Sequence, residues 1–401
     1  MIDVTRRTLL AAGAMLAAPS IARAQNVAQN QTVKLGILQP VTGVLAQDGD
    51  LGRLGAQFAI DEINASGGIA SMGGAKLEMV FGDARSTPDA GVAEVERMQG
   101  EGVCAVVGGF ASPICLAASQ AAARYDLPYV VDVGVADSIV SRGLTNTFRF
   151  APGFGKVSSV ALDNLVAIND AAGKPAKTVV LVHEDGLFGS GLAKLMQTEL
   201  PKRGFEVIET IAHPTPARDM SNIALRIRSL APDLILPSDY YGEFVLLART
   251  LQQQRIKPKG IYGVLNGAAS NYRFIKEFPA VAEGLLDCNH WANPRNPKTA
   301  ALKQKVDAAG KVFSYNVMLN YSCVLLVADA LSRAGTADRA KLTQALADSN
   351  FAGHIMPYGP TKFVGGQNTG ATPANLQVQG GDVKVILPAE FADAKPIFPV
   401  T

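Results

Sequence analysis

Histidine, cysteine and tryptophan are scarce in this chain. Its 401 residues include four His, four Cys and one Trp. None of the histidines or cysteines has the spacing of a zinc site, and there is no CxxC pair, so neither a bound metal nor a redox-active dithiol is predicted. Four cysteines in an oxidising compartment permit three pairings that the sequence cannot rank. We expect buried free thiols at Cys104, Cys115, Cys288 and Cys323.

The chain also lacks an excess of charge of either sign. It has 37 Lys and Arg against 35 Asp and Glu, for a net charge of +2 at pH 7. Residues 1–24 hold three of these cations, Arg6, Arg7 and Arg23, and one of the anions, Asp3, so the remainder is neutral. A neutral chain with well-mixed charges argues against a nucleic-acid or membrane-surface partner.

Beyond the N-terminal segment, we expect no run that is both long and apolar enough to span a bilayer. The chain begins MIDVTRRTLLAAGAMLAAPSIARAQ, in which residues 5–10 have the twin-arginine pattern and residues 22–24 fit a signal-peptidase site. A general secretory signal that happens to contain two arginines is the alternative. Both predict cleavage before Gln25. Because no cysteine follows the apolar run, we expect a soluble periplasmic protein with no lipid anchor and no membrane insertion.

Strand-like and helix-like segments alternate through most of the remaining chain. Buried strands are predicted for TVKLGILQPV, KLEMVFGDA, VCAVVGG and LPYVVDVG, and the alternation starts again after the junction TFRFAPGFG. Two such runs predict an α/β fold with two doubly wound parallel-sheet lobes. Beyond EGLLDCNHWANP only helices are predicted, at residues 299–309, 316–333 and 338–349, and we expect them to pack on the first lobe.

This alternation predicts how the chain divides. Return crossings near residues 285–291 and 357–366, with the junction near residue 150, would make a three-segment hinge. The predicted organisation is residues 1–24 as signal peptide, 25–149 plus 290–358 as lobe 1, and 150–289 plus 359–401 as lobe 2.

Ligands of parallel sheets bind beyond the carboxyl ends of the strands. The candidate ligand-binding residues there are Asp48, Phe110, Ala111, Ser112, Gly134, Val135, Phe188, Tyr240 and Asn266. They include no catalytic set, because His183-Glu184-Asp185 has no nucleophile or second histidine at a matching strand end. The sequence GLFGSG is neither GxGxxG nor a P-loop. We therefore predict a binding site formed by rings and small polar groups, with no enzyme activity, cofactor or metal.

One of these strand ends leads into GGFASPIC, Gly108–Cys115. Ser112 followed by Pro113 predicts a helix whose N-cap is the serine. The alternative is that the hydroxyl, together with the free N–H groups of the first turn, holds an anionic ligand. Our interpretation combines the two: Ser112 caps its helix and also binds a carboxylate.

The chain resembles the branched-chain-amino-acid receptor family of type I periplasmic solute-binding proteins. The resemblance is carried by VKLGILQPVTGVLAQDGDLGRLGAQFAIDEINASGGI, VVGGFASPICLAAS, HEDGLFGSGL and YSCVLLVADAL. It implies two lobes that close on a small ligand and present it to an inner-membrane ABC permease with a cytoplasmic ATPase. In amino-acid-binding members, a serine at the place of Ser112 and a threonine bind the ligand carboxylate. An acidic residue of the second lobe binds the ammonium, and aromatic residues wall the pocket.

Ser112 and the aromatic positions Phe188 and Tyr240 match that pattern, but other positions depart from it. Val135 stands where the threonine is expected, and neither Leu265 nor Asn266 is acidic. The disulfide of the first lobe is absent, with Arg85 and Ala111 near its places. A buried ammonium without a carboxylate partner costs several kcal/mol.

These departures disfavour a free α-amino acid unless Asp48, Asp185 or Asp239 replaces the missing acid. We expect an aromatic or other hydrophobic carboxylate as ligand. The alternatives are a receptor for branched-chain or other hydrophobic amino acids, and a sensor of the same fold that feeds a regulator.

Overall fold

The computed structural model describes residues 32–400, so the predicted signal peptide and its cleavage site lie outside the described residues. The strands are β1 (Thr32–Gln39), β2 (Lys76–Asp83), β3 (Val106–Gly108), β4 (Tyr129–Val131), β5 (Thr147–Arg149), β6 (Thr178–Glu184), β7 (Glu206–His213), β8 (Leu234–Ser238), β9 (Gly260–Val264), β10 (Leu286–Asn289), β11 (Phe363–Val364), β12 (Gln367–Asn368), β13 (Ala374–Gln379) and β14 (Asp382–Leu387).

The α-helices alternate with these strands until β10 and then follow one another. They are α1 (Ala46–Ala65), α2 (Pro88–Gly100), α3 (Ser112–Ala123), α4 (Phe154–Ala171), α5 (Leu187–Glu199), α6 (Ser221–Leu230), α7 (Tyr241–Gln253), α8 (Tyr272–Glu277), α9 (Pro279–Ala282), α10 (Pro297–Ala308), α11 (Tyr315–Ala334) and α12 (Arg339–Ala347). The three late helices that the sequence predicts are α10, α11 and α12.

The strands form two seven-stranded sheets, one in each lobe. The order of the first is β11-β12-β5-β4-β3-β1-β2, and that of the second is β14-β13-β10-β9-β8-β6-β7. The central strands pair in parallel, whereas β11 with β12, β10 with β13 and β13 with β14 pair antiparallel. The prediction of two α/β lobes is confirmed, with antiparallel pairs added at one edge of each sheet.

The chain crosses between the sheets three times, at residues 150–153, 290–296 and 369–373. The third crossing was expected near residues 357–366, and that position is wrong. Residues 363–368 form a hairpin, β11–β12, that continues the first sheet through the parallel contact of Gln367 with Arg149. The assignment of residues 359–401 to lobe 2 therefore needs revision at this hairpin, and the remaining lobe boundaries stay a prediction.

Strand β6 shows why the strands of these sheets are apolar throughout. Val179 and Leu181 point into the large core, while Val180 and Val182 pack in a second cluster beneath α6 and α7. A strand covered by helices on both faces must be apolar at every position and not only at alternate ones. The same reason explains the continuous apolar runs in the sequence.

Helix α11 lies in the core and packs along α1 of the first lobe. By length and composition alone it is long and apolar enough to cross a membrane, contrary to our expectation from the sequence. Most of it, however, is buried inside the protein. Such a helix is typical of a soluble core as well as of a membrane span. The four cysteines, one of them in α11, are buried and unpaired, as expected.

Candidate functional site

A small cavity of about 30 Å³ lies between the lobes, at the carboxyl ends of the strands. The first lobe contributes Phe110, Ala111, Ser112, Val133, Val135 and Tyr315. The second lobe and the crossing beside it contribute Phe188, Asp239, Tyr240, Leu265, Gly267, Asn289 and His290. Six of the nine predicted residues therefore line one cavity: Phe110, Ala111, Ser112, Val135, Phe188 and Tyr240.

The other three predicted residues lie close to this cavity without lining it. Asp48 is buried in the first turn of α1 and accepts a hydrogen bond from the side chain of Asn316 at 2.9 Å. The Asn266 side chain accepts from the amides of the loop after β9, where it holds residues 268 and 269. Gly134 packs so tightly that a Cβ there would lie 2.6 Å from the sulfur of Cys115. All three support the walls.

The lobes touch through aromatic rings at the floor of the cavity. The ring of Tyr240 lies 6.0 Å from that of Phe110 and 5.3 Å from that of Phe188, centroid to centroid. Across the rim, Arg273 of α8 donates a hydrogen bond to Gln47 of α1. These contacts join residues of both lobes, so the cleft is closed in this structure.

Ser112 is not the N-cap of its helix, which corrects the sequence prediction. Helix α3 begins at Ser112 itself, its N-cap is Ala111, and no side chain caps it. The Ser112 hydroxyl oxygen instead accepts hydrogen bonds from the amides of Val135 and Ala136, both at 3.2 Å. A hydroxyl accepts twice and donates once, so its proton is left to donate. That proton has no acceptor among residues 32–400.

The turn that presents Ser112 has an unusual backbone. Phe110 has a φ of +53°, a left-handed conformation that non-glycine residues rarely adopt. Its amide donates to the carboxylate of Asp132 at 3.0 Å, and the second oxygen of that carboxylate accepts from Gln39 and Asn320. Burial raises the pKa of Asp132 despite these bonds. The carboxylate fixes the turn from inside the lobe.

The second lobe has a matching turn after β9. Leu265, which also lines the cavity, has a φ of +56°. The next amide, that of Asn266, donates to the buried carboxylate of Asp287 at 3.3 Å, which also accepts from Ser270 and Asn289. Burial raises the pKa of Asp287 to about 6. Each lobe thus holds one wall of the cavity with a buried aspartate.

Asp239 is the one acidic side chain that lines the cavity. One of its oxygens lies 2.8 Å from Nε2 of His213, and the other is buried without a hydrogen-bond partner among residues 32–400. Burial raises the pKa of Asp239; in His213 burial acts to lower the pKa, but the bond to Asp239 raises it overall. Nδ1 of His213 lies 3.1 Å from the carbonyl oxygen of Pro214.

Sequence reasoning missed His290 and Tyr315. His290 follows β10 on the second crossing, is 1% exposed, and has no hydrogen-bond partner for either ring nitrogen within the described chain. Tyr315 begins α11, with its ring 6.2 Å from that of His290. The return strand near residues 285–291 was predicted, so the end of that strand was the available signal for His290. Nothing in the sequence placed the start of α11 at the cavity.

The acid–base candidate His183-Glu184-Asp185 has a structural explanation. The Glu184 carboxylate accepts from the amides of Gly186 and Gly189 and so caps α5, while Nδ1 of His183 faces the Glu184 carbonyl at 2.7 Å. Within residues 32–400 no group of three or more His, Cys, Asp or Glu side chains could hold a metal ion. The cavity therefore offers aromatic rings, the hydroxyls of Ser112, Tyr240 and Tyr315, and a few unpartnered polar atoms, which are groups that bind a ligand.

Comparison with known proteins finds the same architecture. Residues 32–382 match the family described as periplasmic binding protein. The chain is 28% identical over 368 residues to the Leu/Ile/Val-binding protein homolog 7 of Brucella melitensis, covering 89% of this chain and 91% of that protein.

Two solved structures share the fold. The leucine-binding protein LivK of Thermotoga maritima has a TM-score of 0.76 at 23% identity, covering 88% of this chain and 97% of that one. LivJ of Streptococcus pneumoniae, solved in complex with isoleucine, has a TM-score of 0.74 at 22% identity, covering 92% and 100%.

Proposed function

Because the chain belongs to the periplasmic binding protein family, we propose that it is the substrate-binding component of an ABC transporter for a small hydrophobic carboxylate, an aromatic acid above all. It captures this ligand between its lobes and delivers it, unchanged, to an inner-membrane permease with a cytoplasmic ATPase. The members of this family are binding proteins, and the site proposed here performs no reaction on the ligand.

The hydroxyl of Ser112 is the observation that carries this proposal. Its two lone pairs are used by the amides of Val135 and Ala136, so the group can only donate toward the cavity. A carboxylate is the strongest acceptor for such a donor. The first turn of α3, which begins at Ser112, adds its free N–H groups and the positive end of the helix dipole. Donors that converge in this way favour an anion.

The remainder of the cavity supports an apolar body for that anion. Phe110, Phe188, Tyr240 and Tyr315 supply ring faces, and Val133, Val135 and Leu265 supply aliphatic surface. Small-molecule sites are mostly apolar with a few placed polar groups, and the lining of this cavity has the same character. An acid whose polar end meets Ser112 and whose ring or branched chain meets these walls fits both parts.

A hydrophobic amino acid is the second candidate, and Asp239 favours it. The unpartnered oxygen of Asp239 is an acceptor at the cavity wall, where an α-ammonium could donate. The names of the relatives, which specify leucine, isoleucine or valine, point the same way. One oxygen of Asp239, however, is already bonded to His213, so an ammonium would share this carboxyl group with the histidine. For that reason the acid without an amine is the first candidate.

A binding screen of the purified protein separates the two candidates. Phenylacetate, 4-methylpentanoate, phenylalanine and leucine are compared by thermal shift and titration calorimetry, together with the primary amide of each acid. An acid at one hundred times its Kd stabilises the fold by about 2.7 kcal/mol. The first candidate predicts binding of phenylacetate or 4-methylpentanoate in preference to the amino acids and amides. Tighter binding of leucine than of 4-methylpentanoate, or of phenylalanine than of phenylacetate, would replace it with the second.

The same fold could also serve a ligand sensor. Uptake of the labelled ligand by cells, with and without the permease, distinguishes the two roles. If the protein is a transport component, its deletion should stop uptake just as deletion of the permease does. If it is a sensor, its deletion should leave uptake unchanged.

A further inference from the structure

We propose that His290 determines specificity by hydrogen bonding to an uncharged hydroxyl or carboxamide of the ligand, at a position away from the carboxylate that meets Ser112. This inference rests on the proposed function and deepens it. It predicts that the transported acids carry a second polar group that both donates and accepts.

The position of His290 is fixed while its ring is left without partners. Its amide donates to the Asn289 side chain at 2.8 Å, and Asn289 is held in turn by the Asn266 carbonyl and the Asp287 carboxylate. Both ring nitrogens are buried and have no partner within residues 32–400, although the ring lines the cavity. Buried polar groups are nearly always satisfied, so this exception needs an explanation. A ligand in the cavity is the partner that the geometry offers.

The surroundings of the ring keep it uncharged. Burial and, to a smaller extent, the nearby guanidinium of Arg149 together lower the pKa of His290 to about 3. Arg149 is itself buried, with one nitrogen 3.0 Å from the Asp137 carboxylate. A neutral imidazole has one N–H donor and one nitrogen acceptor. The tautomer decides which nitrogen donates and which accepts, so a ligand group that satisfies either nitrogen is one that can both donate and accept.

Only some ligand groups meet that requirement. A carboxylate only accepts, and an ammonium only donates and would lie near the cationic Arg149. A hydroxyl or a primary amide does both without bringing a charge into the site. The side-chain nitrogen of Asn266 is another buried donor without a partner, on the strand end next to that of His290.

The test compares matched acids that differ by one polar group. The probes are phenylacetate beside its ortho, meta and para hydroxy derivatives, pentanoate beside glutaramate, and phenylalanine beside tyrosine. Titration calorimetry gives the selectivity ratio of each pair for the parent protein, His290→Leu and His290→Gln. Leucine removes both nitrogens at similar volume, whereas glutamine keeps a donor and an acceptor. His354→Leu is the matched control, because His354 is also a buried histidine but does not line the cavity.

We expect the parent protein to prefer at least one hydroxylated or amidated acid by about tenfold or more, because a site that hydrogen-bonds a hydroxyl rejects the analogue without it. His290→Leu should bring that ratio close to one and keep the affinity for the unsubstituted acid, while His290→Gln should retain part of the preference. His354→Leu should leave the ratio unchanged. A merely structural role of His290 would weaken both members of a pair alike.

Three results would overturn the inference, and each is distinct. If unsubstituted acids bind as well as their polar partners in the parent protein, or if folded His290→Leu keeps the preference, the role of His290 is wrong while the carboxylate receptor stands. If His290→Leu selectively weakens the amino acids, the histidine recognises an amine. If none of the acids binds the parent protein, the proposed function fails and this inference fails with it.

Discussion

Replacing Ser112 by alanine tests the proposed carboxylate site most directly. The hydroxyl is 2% exposed and can only donate toward the cavity, so the substitution removes one hydrogen bond to a charged acceptor in a closed site. Such a bond is worth about 1.5–3 kcal/mol. Affinity for the cognate acid should therefore fall about 10- to 150-fold. The affinity for the primary amide of the same acid, which lacks the charge, should fall clearly less.

The same substitution also has a cost in stability, and the structure specifies its origin. Alanine leaves the amides of Val135 and Ala136 without their acceptor, and an unsatisfied buried donor costs about 1–3 kcal/mol. Both distances are 3.2 Å, at the long end for such bonds, so we expect the total loss in the free energy of unfolding to lie in the lower part of that range. Glycine at position 112 should cost at least as much, because the side chain does not cap the helix.

Ser119→Ala is the matched control for this experiment. Ser119 lies in the same helix, is fully buried, and donates to the Cys115 carbonyl at 2.6 Å, but it does not line the cavity. It should change stability while leaving affinity unchanged. Urea denaturation measures the first quantity and titration calorimetry the second. If Ser112→Ala folds and binds the acid as tightly as the parent protein does, the carboxylate does not lie at Ser112.

Four further predictions concern other parts of the molecule. Burial raises the pKa of Asp48 from 3.8 to about 7, so its contribution to stability is complete below pH 3.8 and is lost as the pH rises toward 7. The free energy of unfolding of Asp48→Asn should equal that of the parent protein at pH 4 and exceed it at pH 8 by a few kcal/mol, because each pH unit between the two pKa values costs the parent about 1.4 kcal/mol. Equal urea denaturation curves at pH 8 would contradict this. Arg273→Ala removes the bond to Gln47 across the rim and should weaken ligand binding about 2- to 10-fold. X-ray scattering should show a larger radius of gyration without ligand than with it, and identical profiles would argue against closure. Mass spectrometry of the exported protein should find Gln25 at the N-terminus, whereas an intact Met1 would exclude cleavage.

The regular parts of the fold could be predicted because their patterns are long. Strand β6 is apolar on both faces, and α11 continues for 20 residues, so neither depends on a single position. The hairpin β11–β12 could not be predicted in this way. Its strands have two residues each, too few for any periodicity, and they join the sheet through one parallel contact to β5. Such pairing depends on the tertiary structure around it.

The candidate site likewise has residues that the sequence could predict and residues that depend on the tertiary structure. The rule that ligands bind at strand ends found Phe110, Ser112 and Phe188, which all line the cavity. The rule does not extend to the start of a helix, and Tyr315 reaches the site as the first residue of α11. Nor could sequence show that the Ser112 hydroxyl bonds to residues 135 and 136, since that bond depends on the path of a different loop.

The two buried aspartates explain how a closing cleft can remain selective. Asp132 and Asp287 each fix, from within one lobe, a strand end whose backbone is left-handed at the cavity wall. Each wall is therefore fixed to its own lobe, because its hydrogen bonds stay inside that lobe. His290 lies instead on a segment that crosses between the lobes and is held by Asn289 at the end of β10. A ligand group that bonds to His290 thus connects the contents of the cavity to the hinge, so recognition there favours the closed arrangement as well as the correct ligand.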